Sequence, residues 1–223
     1  AVSLPVSALA RDWYIDDGDI TISATESGQT VSQGNTSEAD DAPVIKQRDS
    51  ETATGSTITI KSTGDATANV TIKDVNISSK GDAIDVDGKS SAKITLEGKN
   101  KIFSETGSAL HVSSGDVTID GDGSLEAEIG GDDNDSAKIG SHKDEDMSGS
   151  IHITGDATVT TKDDRDDVYY YGDGAGIGSG KYGSMSGSIT IDKNANVDAF
   201  SREDGAGIGS GYGGDMSGNI SIS

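Results

Sequence analysis

The sequence contains no cysteine, which excludes a disulfide framework and a thiolate zinc site. Proline is nearly missing too: Pro5 and Pro43 both avoid the region of clearest periodicity, as strands paired on both sides require. Aromatic residues make up only 4%, so the position of each ring carries weight. Basic residues are few, 17 against 39 acidic ones, for a formal charge of -22. Such a chain repels nucleic acid and anionic membrane surfaces, and no basic patch interrupts the acidity. No run approaches the roughly 18 apolar residues of a membrane span, so membrane insertion is not expected. Hydrophobic residues are 31% of the total, which with this charge would by itself suggest disorder. Their regular spacing argues instead for a thin, ordered core.

What is present is repetition. SAKIGSHKDEDMSGSIHI from Ser136, GAGIGSGKYGSMSGSITI from Gly174 and GAGIGSGYGGDMSGNISI from Gly205 are three versions of one segment. Each ends in an apolar-x-apolar triplet. Self-similarity at this period marks stacked supersecondary units, which turns attention to solenoids.

The triplets form a column: Ile94-Thr95-Leu96, Val117-Thr118-Ile119, Ile151-His152-Ile153, Ile189-Thr190-Ile191 and Ile220-Ser221-Ile222. Alternation puts the flanking aliphatics on one face and Thr, His or Ser on the other, as a half-buried strand requires. Eight residues separate Ile94 from Ile102, Val117 from Leu125, Ile151 from Val159 and Ile189 from Val197. The intervening EGKNK, DGDGS, TGDAT and DKNAN are rich in residues that tolerate left-handed backbone. A second column is Ile84, Leu110, Ala137, Ala175 and Ala206, whose members lie 26, 27, 38 and 31 residues apart, too short for a four-stranded propeller blade. The pattern predicts an all-β chain: a right-handed parallel β-helix with about three short strands per coil.

Residues 1–10, AVSLPVSALA, read as the end of a signal peptide, with Ala8-Leu9-Ala10 in the small-x-small pattern before a cleavage site. Export to the medium or the cell surface follows. Residues 11–223 form a single domain, 11–82 being a cap with irregular coils and 83–223 the regular ones. Its last triplet leaves an open edge that invites pairing, so further coils or domains of a longer chain are expected beyond it.

Two Gly-rich stretches, at Gly178 and Gly209, match GxGxxG, yet a strand triplet rather than a helix follows each, so they are not dinucleotide sites. His111, His142 and His152 have no metal-ligand spacing and read as surface residues. No nucleophile elbow is present, and carboxylates are too numerous for a catalytic pair to be picked out. Acidic residues cluster in turns, and Asp85, Asp87, Asp120 and Asp122 are the metal candidates, because calcium takes oxygen ligands that adjacent turns can supply. Among the aromatics, Tyr169, Tyr170 and Tyr171 lie in the longest segment between strands, and Tyr182 and Tyr212 in corresponding turns of successive repeats. These five are the candidates for stacking against the apolar faces of sugar rings.

The repeat pattern, the opening DWYIDDGDITISATESGQTVSQG and the recurring GAGIGSG…MSGSITI together resemble secreted clostridial β-helix proteins described as carbohydrate-binding domain proteins. The resemblance spans most of residues 11–223, although its motifs are mainly structural. It implies a secreted or surface-attached, non-catalytic binder of polysaccharide, calcium-assisted or not. The rivals are a polysaccharide lyase, which the absence of a cationic groove disfavours, a passive adhesin stalk, and an ice-binding face built on Thr59, Thr95, Thr118 and Thr190.

Overall fold

The computed structural model describes residues 11–131, 133–163 and 172–223. The signal-peptide reading of 1–10 and Tyr169, Tyr170 and Tyr171 therefore lie outside the described residues. Among those described, strands assemble into sheets of eight, five and nine members, and the only helical piece is a single 3-10 turn, Ile15–Asp17. No helix among them is long and apolar enough to cross a membrane.

The chain visits the sheets in rotation. Ser91–Glu97 lies in the eight-stranded sheet, Lys99–Ser104 in the five-stranded one and Leu110–Val112 in the nine-stranded one, after which Asp116–Gly121 returns beside Ser91–Glu97. Each return is parallel to the strand before it. The antiparallel exceptions lie near the N-terminus, where Gly28–Gln33 folds back on Ile20–Thr25 and Thr36–Ala39 folds back on Gly28–Gln33. There Trp13 is buried, and its indole N–H donates to the Asp40 carboxylate at 2.9 Å.

Alternation sorts the side chains as expected. In the eight-stranded sheet Ala68, Ala92, Val117, Ile151 and Ile189 form one buried row, and Val70, Ile94, Ile119, Ile153 and Ile191 the next. Burying a large aliphatic side chain contributes about 1.5–3 kcal/mol, so repetition of the rows is what holds the sheets together. Two columns differ in register from the sequence reading. Val117 pairs with Ala92 rather than Ile94, and Leu110 pairs with Ile139 rather than Ala137. Both slips are of two residues, which leaves the buried face unchanged. The threonines consequently make no continuous row: Thr95 pairs with Asp120, Thr118 with His152, and Thr59 belongs to another sheet.

Buried Asn100 occupies a place in the five-stranded sheet where the neighbouring strand has Leu125. Its Oδ1 accepts the Val75 N–H at 3.2 Å, and its amide donates to the Glu97 and Ser124 carbonyls. It satisfies backbone groups that the corner between strands would otherwise leave unpaired. Gly140, Gly178 and Gly209 pair with one another at φ of 138°, 142° and 140°, and a Cβ at Gly178 would overlap the Gly209 carbonyl oxygen.

Candidate functional site

Beyond the glycine row, the chain makes three successive turns of one design. The Ser141 hydroxyl donates to the Glu145 carbonyl at 2.7 Å, Ser179 to Gly183 at 2.6 Å and Ser210 to Gly214 at 3.1 Å. Neighbouring turns are joined by backbone bonds, Asp144 N–H to the Lys181 carbonyl and Tyr182 N–H to that of Tyr212. Serine suits the position because its short hydroxyl closes a local turn without an extra backbone donor. The side chains outside this shared frame are free to differ, and they produce two adjoining clusters.

One cluster is aromatic. Tyr182 and Tyr212 are 51% and 45% exposed, with ring centroids 5.9 Å apart and planes tilted by 59°. Lys181 Nζ lies 5.4 Å from the first ring and 5.9 Å from the second. Its ammonium is fixed by Asp173 at 2.7 Å and by Asp135 at 3.5 Å. The hydrogen bond to Asp173 raises the lysine's pKa over the opposition of partial burial, so it stays charged. The Asp135 side chain is 4% exposed and also meets Lys143 at 2.8 Å. Burial works to raise its pKa, but Lys143 and the Asp173 N–H outweigh this and hold it below the usual carboxylate range.

Tyr182 adopts φ 62°, where the equivalent residues are Asp144 at 60° and Gly213 at 74°. Glycine enters this left-handed region freely and aspartate tolerates it, but a bulky tyrosine is strained there.

The second cluster is built on histidine. His111 is the outward residue of Leu110–Val112, beside Asp85 on one side and Gly140 on the other. Gly140 has no side chain, and the His142 ring, from the first turn, lies over His111 with centroids 4.0 Å apart and planes 6° from parallel. Asp85 meets His111 Nδ1 at 2.8 Å and Glu145 meets Nε2 at 3.0 Å, while Asp82 meets His142 Nε2 at 2.7 Å. Ionised carboxylates only accept, so His111 flanked on both nitrogens is an imidazolium. Burial opposes that charge, but the bonds to Asp85 and Glu145 prevail and lift its pKa to about 10. The same contact, against burial, brings Glu145 down to about 2.

The sequence placed these histidines on the surface. His111 is outward but its side chain is only 12% exposed, because its neighbours close over it. His152 keeps the exposed role, 3.1 Å from Asp192. The four predicted calcium ligands divide between two sheets. Asp85 is engaged with His111 and Asp87 with Lys61 at 3.2 Å, both on the nine-stranded side. Asp120 is on the eight-stranded side, where Lys93 at 2.9 Å holds its pKa low, and Asp122 is in the turn that follows. The grouping of metal-ligand type among the described residues is instead Asp82, His111 and His142. Only one neighbour of this grouping was legible, since His111 and Asp85 occupy equivalent places in aligned triplets.

No protein-family model, no curated protein and no solved structure matches this chain.

Proposed function

We propose that the chain is a right-handed parallel β-helix with three short strands to a coil, exported to the cell surface or medium, and that it binds polysaccharide without turning it over. The rotation of the chain through three sheets supports the helix, and parallel crossovers are almost always right-handed. The recognition surface is the ladder of turns, with Tyr182 and Tyr212 as stacking platforms. Lys181, held between Asp173 and Asp135, and the exposed turn carboxylates supply hydrogen bonds to hydroxyl groups.

The observation that carries this reading is Tyr182 itself, half exposed in a backbone conformation that disfavours it. With calcium's predicted ligands on separate sheets, the reading assigns calcium no part in binding. The acidity of the whole surface points to neutral rather than anionic glycans.

The test is retention of the full chain by a panel of soluble and insoluble polysaccharides, with and without calcium, alongside a Tyr182→Ala/Tyr212→Ala variant. Binding to a neutral glycan that the double variant loses is the expected result. Uniform failure to bind would make the chain a passive stalk, and release of unsaturated, ultraviolet-absorbing products would make it a lyase.

A further inference from the structure

We infer that Asp82, His111 and His142 form a binding site for a divalent transition ion of the Zn2+ type, independent of glycan recognition. One ligand atom from each residue lies within 4.8 Å of the other two. Two imidazoles and a carboxylate are the donors that zinc and its neighbours prefer, whereas calcium takes oxygen. A fourth position is left for water or for Glu145.

Two of the three donors are held in place by their surroundings. The Asp82 carboxylate accepts the Ser108 N–H at 2.8 Å, and it occupies space that a Cβ on Gly107 would overlap. His111 is fixed within a paired strand. Whichever of its nitrogens takes the ion, the other keeps a carboxylate, Asp85 on Nδ1 or Glu145 on Nε2. Such a partner orients a ligating imidazole and raises its basicity. His142 is the adjustable donor: it lies on a turn and its side chain is 36% exposed. Parallel rings direct their nitrogens along parallel lines, so the ion draws His142 out of the stack by rotation of its side chain.

The charge balance favours the exchange. Asp82, Asp85 and Glu145 surround the site with three carboxylates; the His111 imidazolium offsets one of their charges, and a dication in place of its proton offsets two. The ion enters as the proton shared between His111 and a carboxylate leaves to solvent.

Calorimetric titration of the full chain with zinc chloride at neutral pH tests this, with circular dichroism verifying that each variant is folded. One equivalent is expected to bind, with affinity falling at least about tenfold in His142→Ala and in Asp82→Asn and unchanged in His152→Ala and Tyr182→Ala. Gly107→Ala, which displaces Asp82 without removing a donor, should weaken binding as well. Zinc should also shift the His142 ring resonances and raise the melting temperature of the wild type but not of Asp82→Asn. Absence of binding, isotherms unaltered in both ligand variants, or an equal loss in His152→Ala would overturn the assignment. Calcium binding as tightly at the same residues would overturn the choice of ion. Because Tyr182→Ala leaves these residues untouched, failure here and failure of glycan binding are separable.

Discussion

Replacing Tyr182 by glycine and, separately, by alanine divides the contribution of its backbone from that of its ring. Both substitutions remove the contacts with Tyr212 and Lys181, about 0.5–1.5 kcal/mol in total for such exposed aromatic and cation–π contacts. Only glycine relieves the left-handed conformation at φ 62°, which costs a residue with a Cβ about 1–2 kcal/mol. Glycine's greater freedom in the unfolded chain returns about 0.5–1 kcal/mol of that gain. Tyr182→Gly should therefore be more stable than Tyr182→Ala by about 0.5–1 kcal/mol, although it deletes more of the side chain. The measurement is urea denaturation of the two variants followed by circular dichroism, compared through their midpoints at equal slope. Both variants should lose glycan retention. An alanine variant as stable as the glycine one, or more so, would refute the claim that the turn strains this tyrosine.

Acid should weaken the protein partly through Asp135. Its folded pKa is depressed, so its stabilisation is present above the unfolded carboxylate value of about 3.9 and is lost as pH falls through the folded one. The melting-temperature gap between wild type and Asp135→Asn should then be widest at neutral pH and close in acid; a constant gap would contradict this. Gly178→Ala adds a Cβ against the Gly209 carbonyl at a φ of 142°, and should destabilise by about 2–4 kcal/mol, read by thermal melting. Gly34→Ala has open space around its Cβ, so its cost is that of a positive φ less the unfolded-chain freedom that glycine gives up, expected at about 0.5–1 kcal/mol.

The strand triplets and the faces they bury were legible in the sequence because alternation with a period of two is a direct signature of half-buried strands; the exception is Ile220-Ser221-Ile222, whose aliphatics are exposed. Register was less so. A slip of two residues buries the same face, so nothing in the apolar pattern separates Ala92 from Ile94 as the partner of Val117. The choice involves polar residues at corners, among them Asn100, which an aliphatic template passes over. The tyrosine pair was half legible: Tyr182 and Tyr212 were recognised as residents of matching turns, but the left-handed backbone under Tyr182 has no sequence signal. The histidine cluster escaped for a different reason. Metal-ligand spacings describe helices and hairpins, whereas parallel stacking brings Asp82 against His142 across 60 residues of chain.

The serine-closed turns imply an unusual freedom to vary. Each is fastened by its own hydroxyl and by peptide groups of a neighbouring turn, so whatever projects outward contributes little to the fastening. One frame thus displays His142 and Glu145 in its first edition, Lys181 and Tyr182 in its second, and Tyr212 with glycines in its third. Chemistry can be rewritten here a line at a time, and exchanging whole turns between repeats should move a binding property along the molecule without remaking its interior.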